Sequence, residues 1–214
     1  MKLLILLFVL CSNLLLAQSN QYTFVFLHKK ENPELPKDQV DKIMEGHMAN
    51  IGRLAKEGKL LVAGPFEGGG GLFILNTTSK EEAKNWLITD PGIKANRWTI
   101  EMLPFTPRIG SACAVGEKYE MIMYSFIRFT ATISKFTAST YPQIMQRHDE
   151  YLKQLNLTGN VIAEGIFGDH DGGILIMKGT VTSELFENDP GVQESLLELS
   201  IKDLWVAKGS FCEK

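Results

Sequence analysis

The sequence predicts an α+β protein made of two tandem copies of one folding unit, and three observations lead to this fold class. The first is an internal repeat: the stretch that begins at His47, HMANIGRLAKEGKLLVAGPF, returns 101 positions later at His148 as HDEYLKQLNLTGNVIAEGIF. The second is the order of strand-like and helix-like patterns, which is the same in both copies. The third is the first strand of the first copy, whose two faces are both apolar. A repeat of this length defines the unit of folding, and two apolar faces require cover on both sides.

The first copy begins with a strand at 22–29, YTFVFLHK, in which aromatic and aliphatic residues alternate. A helix follows from Lys37 to Glu57, because apolar side chains recur there at spacings of three and four. Gly46 and Gly52 lie inside this helix, where glycine is unfavourable, and we expect close packing against the sheet at both positions.

The second helix of the first copy has clear signals at both ends. Ser79 and Glu82 form a capping box that begins the helix. It runs to about Thr89, and Asp90 stands at its end because Pro91 disfavours helical geometry in the residue before it. Three short apolar runs predict the remaining strands, at 60–63, 72–75 and 98–103. The order strand, helix, strand, strand, helix, strand is that of the ferredoxin-like fold.

The second copy retraces this order with a shorter second helix. Its predicted strands are at 120–129, 161–163, 174–177 and 201–208, and its first helix is at 141–155. The predicted organisation is a signal peptide at 1–17, repeat 1 at 18–105, a linker at 106–118 and a diverged repeat 2 at 119–214. Helices on one face leave the other face of each sheet bare, so we expect the two sheets to pack together as an α+β barrel within one chain.

The first 17 residues have the composition of a targeting segment. Lys2 precedes a short apolar run that ends at the small residue Ala17, and polar residues follow. This pattern predicts a signal peptide that is cleaved near Ala17, and hence a secreted or periplasmic protein.

The bulk composition is that of an ordinary globular protein. The 214 residues are 44% hydrophobic and 22% charged, with a formal net charge of −3. Without a run of basic residues, we expect no nucleic-acid partner. No later apolar stretch could span a bilayer, so no membrane association is expected after signal cleavage. We expect a monomer with an internal pseudo-dimer, and the sequence leaves further homo-oligomerisation open.

Two cysteines flank the strands of repeat 2. Cys113 precedes the first strand and Cys212 follows the last one. In the predicted fold these strands are antiparallel neighbours, so the two cysteines meet at one end and an exported protein could join them in a disulfide. The alternative is a pair of unpaired thiols.

Several motifs of the two copies together resemble the YCII-related family, whose fold is the dimeric α+β barrel. In repeat 1 they are a His followed by Ile and Leu at helical spacing, the run EGKLLVAGPF, the helix start SKEEA and the Asp-Pro-Gly at 90–92. In repeat 2 the His, the Gly at 165 and the Asp-Pro-Gly at 189–191 remain. The resemblance implies a small-molecule enzyme. Relatives in the wider barrel superfamily include lactone isomerases, monooxygenases without a cofactor and haem-binding enzymes.

The resemblance also implies a candidate active site in each repeat, a His–Asp pair. By position the pairs are His47 with Asp90 and His148 with Asp189. A histidine titrates near neutrality and can move a proton, and a carboxylate on one ring nitrogen orients the ring. The alternative is a structural role, in which a buried histidine forms a hydrogen bond within the fold and binds no substrate.

Other candidate residues carry weaker signals. His28 and Arg128 end the first strands of the two repeats and could line the mouth of the barrel to bind an anionic substrate, although exposed strand ends explain them equally well. The run Asp169-His170-Asp171 suggests a metal cluster, but a solvated turn is the better interpretation, and we predict no metal and no cofactor.

Two functions remain open from the sequence. The first is a cofactor-independent enzyme in which a His–Asp pair, with repeat 1 favoured, carries out proton transfer or elimination on a small molecule. The second is a non-catalytic binding or structural barrel that has lost this chemistry. The second function predicts a filled barrel without a cavity at His47.

Overall fold

A computed structural model of the chain describes residues 21–30, 35–135, 139–169 and 171–212. The predicted signal peptide, 1–17, and His170 lie outside these residues. The first half of the described chain consists of β1 (Tyr22–Lys29), α1 (Lys37–Lys56), β2 (Leu60–Pro65), β3 (Gly71–Leu75), α2 (Lys80–Leu87), α3 (Pro91–Lys94), β4 (Trp98–Ile109) and β5 (Ser111–Ala112). The second half consists of β6 (Met121–Ala131), α4 (Tyr141–Asn156), β7 (Val161–Phe167), β8 (Gly173–Met177), a 3-10 turn (Ser183–Phe186), α5 (Pro190–Gln193), β9 (Leu197–Ala207) and β10 (Phe211–Cys212).

Both halves have the strand order of a ferredoxin-like unit. Repeat 1 has the order β2-β3-β1-β4 and repeat 2 the order β7-β8-β6-β9, with antiparallel neighbours throughout. The predicted fold class, two tandem ferredoxin-like units in one α+β barrel, is therefore confirmed.

The two sheets are also hydrogen-bonded to each other along their edges. At one seam β4 pairs with β7, with Phe105 opposite Phe167. At the other seam β2 meets β9 through an antiparallel bridge between Phe66 and Leu204. Because both seams are bonded, the bare faces of the sheets enclose a common interior.

Aromatic side chains from both repeats fill this interior. The ring of Phe24 contacts those of Phe105 and Phe167, with centroids 5.3 and 5.2 Å away, and lies 6.3 Å from that of Phe126. The other face of β1 packs differently, since Val25 joins a separate cluster beneath α1 and α2. Both faces of the first strand are therefore covered, as its apolar pattern predicts.

The residues assigned to the linker, 106–118, contain regular structure. Strand β4 continues through Ile109 because residues 105–109 pair with β7 across the seam. Strand β5 then pairs with β10 at the C-terminus. The structure joins Cys113, the residue after β5, to Cys212, the last residue of β10, in a disulfide with Cα atoms 5.8 Å apart. None of the helices in the described part of the chain is long and apolar enough to cross a membrane.

Two equivalent glycines allow the sheets to approach at the seams, which gives a test of barrel closure. A methyl group on Gly64 would collide with the backbone of Trp205 and the side chain of Val206, and one on Gly165 would collide with the ring of Phe105. We expect Gly64→Ala and Gly165→Ala each to lower the free energy of unfolding by about 1–3 kcal/mol through overpacking. Chemical denaturation measures this change.

The control for this test is Gly52→Ala in α1. A methyl group there has no atom within 4 Å, so we expect a gain of up to about 1 kcal/mol from helix propensity alone. Wild-type stability in both seam variants would contradict close packing at the seams.

Candidate functional site

Helix α1 positions His47 on its buried face. His47, Asn50 and Leu54 are the buried residues of this helix, and their spacing of three and four is that of one helical face. The imidazole lies between two aromatic rings, with centroids 4.7 Å from Trp98 and 5.9 Å from Phe73. These contacts fix the plane of the ring.

Asp90 is held by the helix that follows it, which corrects the position predicted from sequence. Helix α2 ends at Leu87, and Asp90 is the N-cap of the separate short helix α3. Its Oδ1 accepts hydrogen bonds from the backbone N–H groups of Gly92 and Ile93, at 2.8 and 3.2 Å. Capping uses one carboxylate oxygen and leaves Oδ2 for other partners.

Close contact between α1 and α3 brings the pair together. A methyl group on Gly46 would come within 2.9 Å of the Pro91 ring, so this glycine allows α3 to lie against α1. The expectation that Gly46 and Gly52 pack against the sheet was wrong, since Gly52 has no close neighbour beyond its own helix.

His47 and Asp90 form a buried hydrogen bond. Nδ1 of His47 lies 2.8 Å from Oδ2 of Asp90, which also accepts from Nδ2 of Asn50 at 3.1 Å. Burial raises the pKa of Asp90, but the hydrogen bond and charge of His47, with further donors, outweigh it and hold the pKa below its usual value. A carboxylate can only accept, so Nδ1 donates, and in the neutral form of such a ring the lone pair is on Nε2.

Asn50 is a member of the site that the sequence reasoning missed. Its Oδ1 accepts from Arg53 Nη2 at 2.8 Å and from Thr89 Oγ1 at 3.0 Å, so the amide is fixed on both sides. A signal for it was present, because Asn50 follows His47 by three positions and shares its helical face. Its polarity excluded it from the apolar stripe.

Repeat 2 contains an equivalent pair. Nδ1 of His148 lies 2.9 and 2.8 Å from the two carboxylate oxygens of Asp189, and Asp189 caps α5 through the N–H of Gly191. The position that matches Asn50 is Tyr151, whose hydroxyl instead donates to the carbonyl of Leu185.

The two pairs differ in the space beside the imidazole. His47 lines a cavity of about 1250 Å³, whereas His148 lines one of about 30 Å³. The two histidines have similar exposed fractions, 6% and 4%, so both are buried to nearly the same degree. Repeat 1 therefore has room for a ligand and repeat 2 has room for about one water molecule.

Three charged side chains close the cavity of repeat 2. Arg108 donates through Nε to Oε1 of the buried Glu164 at 2.7 Å, and through Nη1 to Oδ1 of Asp149 at 2.8 Å. All three side chains line the small cavity beside His148. The pairing neutralises Glu164, which would otherwise be a costly buried charge.

The matching positions in repeat 1 are apolar. The repeat offsets and the Phe66–Leu204 bridge match Arg108 to Ala207, Glu164 to Ala63 and Asp149 to Met48. These three residues line the large cavity beside His47. The closed site of repeat 2 thus has three charged side chains where the open site of repeat 1 has three apolar ones.

His28 and Arg128, the weaker candidates, lie together on one carboxylate. Arg128 donates through both terminal nitrogens to Glu101, at 2.8 and 2.7 Å, and Nε2 of His28 lies 2.7 Å from the same group. The hydrogen bonds from Arg128, ahead of that from His28, hold the pKa of Glu101 below its usual value despite its burial. A negative charge already satisfies both side chains, so this geometry does not favour an anion site there.

The potential metal ligands of the turn after β7 are described only in part. Among the described residues no group of three or more His, Cys, Asp or Glu side chains could hold a metal ion. Asp169 and Asp171 belong to the described chain, and His170 lies outside it.

The hydrogen bonds of Asp90 predict a pH-dependent loss of stability in Asp90→Asn. The amide NH2 would face either His47 and Asn50, which donate to Oδ2, or the backbone N–H groups of Gly92 and Ile93, which donate to Oδ1, so we expect the free energy of unfolding to fall by about 1–3 kcal/mol at pH 7. The depressed pKa stabilises the fold above the unfolded value, near 3.8, and this contribution is lost as pH falls through the folded pKa. The difference from wild type should therefore shrink below about pH 4.

Denaturant titrations from pH 3 to pH 7 measure this dependence. The control is Asp38→Asn, an exposed carboxylate in the first turn of α1, which we expect to change stability by less than about 0.5 kcal/mol. Equal loss at all pH values in Asp90→Asn would show that the charge of Asp90 does not stabilise the fold.

Comparisons with known proteins find a family model that is similar to repeat 1. The model of the YCII-related domain matches residues 22–105. Among solved structures, a "putative monooxygenase" from Lactobacillus acidophilus NCFM is similar at 10% identity and a TM-score of 0.45, covering 87% of this chain and 93% of its own. Another from Fusobacterium nucleatum subsp. nucleatum ATCC 25586 is similar at 11% identity and a TM-score of 0.44, covering 91% and 94%. No curated protein matches the chain. The match to the YCII-related domain thus covers repeat 1 of this chain.

Proposed function

We propose that repeat 1 is a cofactor-independent enzyme site in which His47 transfers a proton to or from a small molecule. The observation that carries this proposal is the combination of the His47–Asp90 hydrogen bond on one side of the ring and the large cavity on the other. No described residue hydrogen-bonds to Nε2, which leaves this nitrogen available to a ligand in the cavity.

The chemistry follows from the two ring nitrogens. Nε2 accepts a proton from a carbon or oxygen of the ligand, and the electron pair of the broken bond moves into the ligand, where it forms a double bond or expels a leaving group. Asp90 stabilises the resulting imidazolium and keeps Nδ1 protonated throughout. The imidazolium then returns its proton to the isomerised product or to water.

The cavity favours a largely apolar ligand. Beside His47 its walls are aliphatic, aromatic and thioether side chains, namely Val40, Met44, Ile51, Leu60, Phe73 and Trp98. Such a pocket excludes water from the ring and strengthens the electrostatic effect of Asp90. Proton transfer or elimination on a small aromatic compound fits these walls.

The alternative function, a barrel that has lost its chemistry, predicts no cavity at His47. The cavity of about 1250 Å³ supports the enzyme instead. The closed pair His148–Asp189 has the features of the alternative, and we assign it a structural role.

A surrogate elimination tests the proposal. The ring opening of 5-nitrobenzisoxazole requires only that a base remove one C–H proton; the N–O bond then breaks and a coloured phenolate forms. We expect the wild-type protein to accelerate this reaction, and His47→Gln to lower the rate by about 10²-fold or more, which is the usual contribution of a general base. Asp90→Asn should also lower the rate, because its amide permits the tautomer with a proton on Nε2.

The matched control is His148→Gln in repeat 2. It removes an equally buried histidine that has no room for a ligand, so the rate should stay within about twofold of wild type. A wild-type rate equal to that of His47→Gln, with both proteins folded by circular dichroism, would contradict the proposal.

We further propose that the chain is exported and loses its signal peptide near Ala17. The apolar run after Lys2 supports this, and so does the Cys113–Cys212 disulfide, which is typical of oxidising compartments. Intact mass measurement of the protein recovered outside the cytoplasm should give a chain that begins at Gln18. Recovery of the full-length chain in the cytoplasm would contradict it.

A further inference from the structure

We infer that the ligand of the His47 cavity is an organic anion with an apolar body, an inference that rests on the proposed function of this cavity. Basic side chains line the cavity in excess of acidic ones. Among the described residues of the lining they are Lys29, Lys30, Lys37, Lys56 and Arg97, with Glu117 as the one carboxylate. Apolar walls beside a cationic rim favour a molecule with an apolar ring and an acidic group.

These cations differ in whether another described residue already pairs with them. Lys37 is paired with Asp41 at 2.6 Å, and Lys30 donates to Oδ1 of Asn96 at 2.7 Å. Within the described ranges Lys29, Lys56 and Arg97 have no ion-pair partner. Of these three, Lys29 and Arg97 are the candidates for binding an acidic group beside Trp98.

These two cations lie next to Trp98, the residue at the start of β4 whose ring packs against His47. Lys29 pairs with Trp98 across β1 and β4, and Arg97 directly precedes Trp98. The indole of Trp98 in turn lies 4.7 Å from the imidazole. An acidic group held at this edge would place the body of the ligand along the apolar wall toward His47.

The closed repeat lacks both cations. The strand registers and repeat offsets match Lys29 to Ala131 and Arg97 to Leu196. Lys29 and Arg97 thus have no charged counterparts at the matching positions of repeat 2. This internal comparison separates them from the general surface charge of the fold.

A pair of probes that differ only in charge tests the inference. Naphthalene-2-carboxylate and naphthalene-2-carboxamide share one ring system, and isothermal titration calorimetry gives the dissociation constant of each. In the double variant Lys29→Gln/Arg97→Gln we expect the carboxylate to bind about tenfold more weakly, the sum of two partly exposed ion pairs. The carboxamide should change by less than about twofold.

Two controls sharpen the test. Lys153→Gln in α4 removes an exposed cation far from the cavity lining and should leave both constants unchanged. In the wild-type protein, added salt should weaken binding of the carboxylate and leave binding of the carboxamide unchanged, because salt screens exposed charges.

The outcomes are distinct from those of the catalytic test. Equal affinity of the wild-type protein for both probes, equal weakening of both in the double variant, or no binding of either probe would overturn the inference. His47→Gln should keep the selectivity for the carboxylate. If proton transfer fails but the protein still prefers the carboxylate, only the proposed function is contradicted. If the preference for the carboxylate is lost but proton transfer persists, only the inference about the anion is contradicted.

Discussion

The hydrogen bonds of one buried carboxylate hold the candidate site together. Oδ1 of Asp90 caps α3, and Oδ2 accepts from His47 and Asn50 on α1. A single side chain thus fixes two helices relative to each other and sets the tautomer of the imidazole. Asp189 repeats the capping and the contact with histidine in the second half of the barrel. The Asp-Pro-Gly motif serves both purposes, since Asp caps the helix, Pro begins it, and Gly leaves room for the side chain of Trp98 or Leu197.

Duplication allows the two sites to differ without a change of fold. Each sheet is closed by the other along two seams, so neither half needs a ligand to complete its core. Repeat 2 fills its cavity with the Arg108–Glu164–Asp149 group, whereas repeat 1 has small or flexible apolar residues at the same places. The same barrel therefore supports one closed and one open His–Asp pair.

Much of the fold follows from residue patterns, because apolar periodicity and the internal repeat determine which elements form and in what order. The alternation in β1 correctly predicts that both of its faces are buried, and the repeat predicts the barrel. The ends of the strands are harder to predict from sequence. Strand β4 runs six residues past Leu103 because it pairs with β7 in the other repeat. No local pattern reports a contact with a partner so distant in the sequence.

The candidate site was only partly predictable for the same reason. The resemblance and the constant offsets indicated which His and Asp to compare, but Asp90 was assigned to the end of α2 when it begins α3. Arg108 was assigned to a linker, so its role in closing repeat 2 appears only once β4 and β7 are adjacent. Asn50 was passed over because polar residues on a helix face usually contact solvent.

The proposed site requires that His47, and not His148, faces a space large enough for a ligand. Acylation by diethyl pyrocarbonate, located by peptide mass spectrometry, tests it directly, because the reagent attacks the lone pair of a neutral imidazole and is far larger than a cavity of about 30 Å³. The account predicts rapid modification of His47 in the native protein and protection of His148, with both modified after unfolding. Equal rates at the two histidines in the native protein, or faster modification of His148, would contradict it.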